Sequence, residues 1–166
     1  QTDGKVDAFI CSSGTGGTIS GVSNALKEKN KDIKIYLSDP KGSALYNYIK
    51  IASRLADDLR PSNNNGVVWA NQFDNIANAK GHYEGTGKEI WEQTDGKVDG
   101  FVCASGTGGT IGGVSRFLKE KNKDVKIYLS DPTGSALYNH IVNGELKAEG
   151  GSITEGIGSS RITKNF

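Results

Sequence analysis

Two short stretches carry residue types that could do chemistry. Ser13-Gly14-Thr15-Gly16-Gly17-Thr18 recurs as Ser105-Gly106-Thr107-Gly108-Gly109-Thr110. Each stretch follows an apolar run and precedes apolar residues at helical spacing, so each reads as a strand-to-helix loop. Glycine's unrestricted φ lets successive peptide N–H groups converge on one point, and the helix that follows brings its positive end there. A phosphate dianion suits such a cup without help from a lysine. Thr15, Thr18, Thr107 and Thr110 would add hydroxyl donors. The plainer reading is a tight turn with threonine as the helix cap, and the loop by itself leaves both open. A Walker A loop needs GxxxxGK followed by Ser or Thr, and no lysine follows these glycines. The Rossmann GxGxxG fails because Ile19 and Ile111 stand where its third glycine belongs. Asp39 and Asp131 end the next strand, where a ribose-binding acid would lie in a nucleotide-binding module, but an Asp-Pro turn is the commoner reason for such a residue.

Other constellations are weaker. His82 and His140 are the only histidines. A Ser130, Asp131 and His140 set can be drawn, but no GxSxG elbow accompanies it. Cys11 and Cys103 lie among apolar residues, outside CxxC and zinc spacing, and read as structural thiols; no metal site is expected. Trp69 and Trp91 read as packing residues. The 20 basic and 19 acidic residues leave a net charge of +1, which excludes a polybasic surface for nucleic acid. No apolar run approaches the roughly 20 residues of a membrane-spanning helix.

The elements that must position the loops come from a repeat. Residues 1–50 match 93–142 at a constant offset of 92, with 40 of 50 positions identical. Such identity implies a very recent duplication or a designed, chimeric chain, and the swap of Ala25 for Phe117, which resembles repacking of one face, favours design. Each copy reads as one β-α-β unit. In the first, 6–11 is an apolar strand, Ile19, Val22 and Leu26 mark a helix, and Ile33, Ile35 and Leu37 alternate as a strand that Pro40 stops. Across the connector, 51–92, and its borders, a helix is expected over 43–60, a turn over 61–66, a strand over 67–70 and a helix over 87–93. The order predicts a single α/β domain over 1–166, a Rossmann-like parallel sheet of about five strands built from the duplicated units. The absence of methionine and the start at Gln1 suggest a processed, trimmed or engineered piece of a longer molecule.

At 98–110, with Gly85-Thr86-Gly87-Lys88-Glu89-Ile90-Trp91 before it, the chain resembles cysteine synthase and its relatives. These are pyridoxal-phosphate enzymes of fold type II, the tryptophan-synthase β group. The resemblance runs through Asn71-Gln72-Phe73-Asp74-Asn75-Ile76-Ala77-Asn78 and on to Glu155-Gly156-Ile157-Gly158, covers about residues 50–166 and is especially to fungal cysteine-synthase-like proteins. It implies that Gly106, Thr107, Gly108, Gly109 and Thr110 grip the cofactor phosphate. It implies that Asn71, Gln72 and Phe73 help to place an amino-acid substrate, and that Gly156 and Gly158 lie beside the cofactor ring. Gly14, Thr15, Gly16, Gly17 and Thr18 take the anion-binding role as copies.

The family's activity, β-replacement on an activated serine such as O-acetylserine by sulfide, needs a lysine in a Ser-x-Lys-x-Arg-like segment to hold the cofactor aldehyde. This sequence has no such segment, nor the Ser/Thr-Gly-Asn-x-Gly loop for the substrate carboxylate. The expectation is therefore a non-catalytic α/β core with no catalytic residue of its own, keeping phosphate-binding loops for pyridoxal 5'-phosphate, or for phosphate or sulfate alone. Its partner would be a small anion, with a homodimer and an intracellular location, cytoplasmic or mitochondrial, following from the resemblance. The alternatives are a working cysteine synthase and a nucleotide-binding module.

Overall fold

A computed structural model describes residues 5–11, 17–37, 45–149 and 157–166. The expectations placed on Gly14, Thr15, Gly16, Asp39 and Gly156 lie outside the described residues. Contacts divide the chain into two compact units, 1–71 and 72–166, where the sequence suggests one domain. The division falls inside the connector, whose first half packs with the first copy and whose second half packs with the second.

The first unit contains β1 (Ala8–Cys11), α1 (Gly17–Lys29), β2 (Lys34–Leu37), α2 (Leu45–Leu59), a 3-10 turn at Arg60–Ser62 and β3 (Val67–Trp69). Its sheet has the order β2-β1-β3, all parallel. Phe9 lies opposite Ile35 on one side and Val68 on the other. Every residue of β1 is buried, as expected of a central parallel strand, which reads as an unbroken apolar run. Helix α2 places Ala52 and Ala56 on one stripe, four residues apart, and both are buried against Ile10. Tyr36, Leu55, Leu59, Val67 and Trp69 complete that core.

The second unit opens with an unbroken helical run: α3 (Ala77–Gly81), a π-helical turn (His82–Thr86) and α4 (Gly87–Gln93). Then come β4 (Gly100–Ala104), α5 (Gly109–Lys121), β5 (Lys126–Ser130) and α6 (Ala136–Asn143). Strands β4 and β5 pair in parallel. The core is Val114, Leu118 and Val125, ringed by Ile90, Trp91, Val98, Phe101, Phe117 and Ile127. Helix α5 lies tightly on the run 77–93. A Cβ at Gly113 would strike the Ala79 carbonyl and Tyr83 N, and one at Gly87 would stand 2.8 Å from Phe117 Cβ. Glycine is needed at both places for the backbones to approach.

The parallel α/β class holds. The described residues contain the five expected strands, divided three and two between two sheets rather than in one sheet. The helix over 77–86 and α6 are additions to the sequence expectation.

One sequence thus folds twice as a parallel β-α-β unit in different surroundings. None of the described residues of α1 is buried, and Val22 is 37% exposed. In α5 the twins Ile111, Val114 and Leu118 are all buried. The run 77–93 covers α5. Phe117, which stands where the first copy has Ala25, packs edge-on against Tyr83 with ring centroids 5.5 Å apart. The same truncation in each copy should therefore have unequal effects. Leu118→Ala should cost about 2–5 kcal/mol, as a fully buried leucine does, and Leu26→Ala about 1 kcal/mol or less. Hydrogen exchange of the α5 and α1 amides under mild denaturant measures both; equal effects would contradict the difference in packing.

Candidate functional site

The loop Gly106, Thr107, Gly108 joins β4 to α5, whose first residues are Gly109 and Thr110. Gly108 has φ +81°, a left-handed conformation in which a side chain would be strained, and there it caps the helix. The Gly112 amide donates to the Gly108 carbonyl at 2.8 Å, and the Gly109 amide meets Thr107 Oγ1 at 3.3 Å. Among the described residues, no acceptor takes the amide protons of Gly106, Thr107, Gly108, Thr110 or Ile111. These are the donors that a helix start leaves free. Gly108, Gly109 and Ser105 are buried and Gly106, Thr107 and Thr110 half-buried, so the loop is partly sheltered from water.

Side chains from three other segments fix the loop. Asn78 donates from Nδ2 to Thr107 Oγ1 at 3.0 Å and to the Gln72 carbonyl at 2.8 Å. Thr163 Oγ1 donates to the Thr107 carbonyl at 2.6 Å. Asn165 donates from Nδ2 to the carbonyls of Gln72 at 3.1 Å and Phe73 at 2.9 Å, and its Oδ1 accepts from Ala79 N at 3.2 Å. Thr163 and Asn165 are only 6% and 4% exposed, so these bonds act away from water, where an unmade one is costly. Thr107 Oγ1 accepts from both Asn78 and Gly109, which leaves its own proton for a ligand. Thr110 Oγ1 pairs with His82 Nε2 at 3.2 Å, and His82 Nδ1 with Thr86 Oγ1 at 3.0 Å.

The structure brings together Gly106–Thr110, Gln72, Phe73 and Gly158 from the expected set. Gly158 has φ +89°, and its amide donates to the Ser105 carbonyl at the mouth of the loop at 3.2 Å. Asn71 also has positive φ, 42°, and its Oδ1 is buried without a partner among the described residues. It falls in the first unit. Gly17 and Thr18 begin α1 and are exposed. Sequence reasoning did not assign roles to Asn78, Thr163 and Asn165. Asn78 was within reach, since a polar side chain inside an otherwise recognisable motif asks for a partner; the Thr163 and Asn165 contacts span 56 and 93 residues and leave no local signal.

Other candidates fall into structural roles. Asp131 Oδ2 accepts from Ser135 Oγ and from Tyr138 N, so it caps α6; its Oδ1 is buried without a partner among the described residues. That is the turn-and-cap reading, and it leaves no carboxylate oxygen displayed for a ribose. His140 is exposed on α6. Burial pushes the Cys11 and Cys103 thiols up from their ordinary pKa, away from thiolate reactivity. The described residues hold no group of three or more His, Cys, Asp and Glu able to bind a metal, and no helix long and apolar enough to cross a membrane.

The profile of the pyridoxal-phosphate dependent enzyme family matches residues 1–62 and, again, 46–165. The chain belongs to that family. Within it, the similarity is to cysteine synthases: the chain is 52% identical over 123 residues to cysteine synthase 1 of Neurospora crassa, covering 72% of this chain and 31% of that protein. It is 49% identical to cysteine synthase 1 of Emericella nidulans, covering 72% and 32%. A solved structure of a hydrogen sulfide-producing enzyme from Fusobacterium nucleatum aligns with a TM-score of 0.71 and 26% identity over 97% of this chain and 52% of its own. The chain spans about a third of the length of the curated relatives it matches.

An ion pair anchors the Gln72-Phe73 segment. Arg161 donates from Nη1 and Nη2 to Asp74 Oδ1 and Oδ2 at 3.0 and 2.8 Å, with its guanidinium 5.8 Å from the centre of the Phe73 ring. The Arg161 hydrogen bonds hold the Asp74 carboxyl below the ordinary carboxylate range, against the opposing effect of partial burial. Because the folded pKa is depressed, the contribution is fully present above the ordinary carboxylate pKa and is lost as pH falls through the folded value. Asp74→Asn should destabilise the second unit by about 1 kcal/mol at pH 7, a modest value because the pair is partly solvated. The gap from the unsubstituted chain should close in acid. Urea unfolding at pH 7 and pH 3 checks this, and a gap that persists at pH 3 would speak against it.

Proposed function

We propose that the second unit binds the phosphate of pyridoxal 5'-phosphate at Gly106–Thr110 and does not itself carry the carbon chemistry of the family. The observation that carries this reading is the set of amide protons at Gly106, Thr107, Gly108, Thr110 and Ile111 that no described residue accepts, beside a Thr107 hydroxyl whose two acceptor positions are filled. Backbone donors held in place by Asn78 and Thr163 need not reorganise to meet a dianion, and the α5 dipole adds to their attraction. The chemistry fits a phosphate or sulfate equally, so the phosphate group supplies the grip and the rest of the cofactor the specificity.

When bound, the cofactor supplies an electron sink for carbanions next to an amine. This chain's residues hold its phosphate, exclude water at Gly108 and Gly109, and present the Gln72-Phe73 segment through Asn78. The aldehyde end needs a lysine amine, and the Ser-x-Lys-x-Arg-like segment in which the family carries it does not occur in this sequence. Replacement of the acetate of O-acetylserine by sulfide would accordingly require that segment from elsewhere. We do not favour the nucleotide reading, because the Asp131 carboxylate serves α6.

Equilibrium dialysis tests the proposal. Pyridoxal 5'-phosphate should be retained, inorganic phosphate should displace it, and pyridoxal without phosphate should bind at least about tenfold more weakly, as loss of charge-assisted hydrogen bonds implies. Thr107→Val, which deletes the free hydroxyl proton, should weaken retention. Equal retention of pyridoxal and its phosphate would overturn the assignment. A ligand absorbance shifted by a stable imine would overturn the part that denies this chain the Schiff-base step.

A further inference from the structure

Three side chains in a row lead from the loop into the helical run beside it. Thr110 stands at the second position of α5, and its Oγ1 lies 3.2 Å from His82 Nε2. The other ring nitrogen, His82 Nδ1, lies 3.0 Å from Thr86 Oγ1. His82 and Thr86 bound the π-helical turn, and α5 is seated on that turn so closely that a Cβ at Gly113 would stand 2.8 Å from His82 Cβ. All three side chains are half-buried.

The ring decides what Thr110 can offer an anion. A hydroxyl has one proton, and a neutral imidazole has one donor and one acceptor nitrogen. With its proton on Nδ1, the ring donates to Thr86 and accepts from Thr110, whose own proton is then spent. With its proton on Nε2, the ring accepts from Thr86 and donates to Thr110, which is then free to donate to an anion. An imidazolium donates to both threonines. It frees the Thr110 proton and adds a positive charge one hydroxyl away from the anion. Of the three states only the first opposes binding, and the third favours it most.

We propose that His82 is a positioning residue for the anion site, acting through Thr110, and that its imidazole takes up a proton when an anion binds; this rests on the reading of Gly106–Thr110 as the phosphate site. Histidine changes charge between about pH 5 and 8, so the cup holds a dianion more tightly at the acid end of that range. The coupling is reciprocal, since an anion in the cup favours the charged ring. The charged groups of the elements packed on the turn are engaged elsewhere. Lys80 on α3 pairs with Glu84 at 3.5 Å, Lys88 with Glu92 on α4 at 3.7 Å, and Arg116 with Glu120 on α5 at 3.2 Å, where Glu120 also accepts from Tyr83. Lys119 donates to the Lys123 carbonyl, Lys121 lies over the Phe117 ring and Glu89 is exposed. Among the described residues the imidazole nitrogens meet threonines alone.

Sulfate is the probe, because it stays a dianion over this range, whereas a phosphate group takes up its own second proton near about pH 6. Calorimetric titration of the full chain should give about tenfold higher sulfate affinity at roughly pH 5.5 than at roughly pH 8.5, as exchange of a neutral for a charge-assisted hydrogen bond implies. Titration at neutral pH in buffers of different ionisation enthalpy should show protons taken up on binding. His82→Gln keeps a donor and an acceptor for the two threonines but does not titrate, and its affinity should differ by about twofold or less between the two pH values. Thr110→Val keeps the histidine, removes its route to the anion and should flatten the profile likewise. His140→Gln, at an exposed position of α6, should leave the tenfold change intact. Sulfate binding with neither pH dependence nor proton uptake in the unsubstituted chain would overturn the role of His82 and leave the anion site standing. A tenfold change that persists in His82→Gln or Thr110→Val would overturn that role as well. Absence of sulfate binding at both pH values would overturn the anion site itself. Proton uptake is read on the unsubstituted chain, so it decides the matter even where a substituted chain does not fold.

Discussion

One connector has to serve two copies of one β-α-β unit, and the rest of the structure follows from that constraint. A β-α-β unit has two surfaces to hide: the outer face of its helix and the far face and free edge of its strands. The first copy receives α2 and β3, which cover the sheet and leave α1 bare. The second receives the run 77–93, which covers α5 and leaves Val102 and Tyr128 in solvent. Neither copy is fully clothed. The sequence of the unit fixes its strands, its crossover and its loop, while the environment decides which of its apolar residues become core.

The candidate site lies on the copy whose helix is covered, and the packing gives a reason. A phosphate cup built from backbone amides works only if the backbone holds still, because each amide contributes little unless it is already aimed. In the second copy the aim is set from outside the loop, by Asn78 on Thr107 Oγ1, Thr163 on the Thr107 carbonyl and the Gly113 backbone seated against Ala79 and Tyr83. The same residues tie down Gln72 and Phe73, so the anion site and the neighbouring segment share one set of supports. In the first copy Gly17 and Thr18 are exposed at the start of a helix without a buried residue. Identical loop residues therefore do not amount to identical sites.

How much of this is legible in the sequence depends on the range of the interaction. The strands, α1, α2, α4 and α5 are written in local periodicity, and the loop in its glycines. The residues around Gly106–Thr110 carry enough pattern to identify the family. The pairing of strands is less legible, because β1 and β4 carry almost the same residues and nothing local says which of them β3 joins. The π-helical turn at His82–Thr86 is unreadable for a related reason: with Gly81, Gly85 and Gly87 the run 81–87 has poor helix propensity, and the approach of α5 at Gly113 and Phe117 supplies what propensity lacks. The roles of Thr163 and Asn165 exist only once the chain has closed on itself.

The site and the strand pairing are separable in this architecture. Every support of the loop identified above comes from 72–93 or from 157–166, and none comes from α2 or β3. The α5 helix is held by the run 77–93, which reaches β4 by direct chain connection. The cup therefore rests on contacts within the second unit. On β4 the two faces differ, with Phe101 packed on Val114 and Leu118 while Val102 is 67% exposed. The duplicated unit thus supplies the loop twice, while the polar contacts that support it occur, among the described residues, only in the second unit.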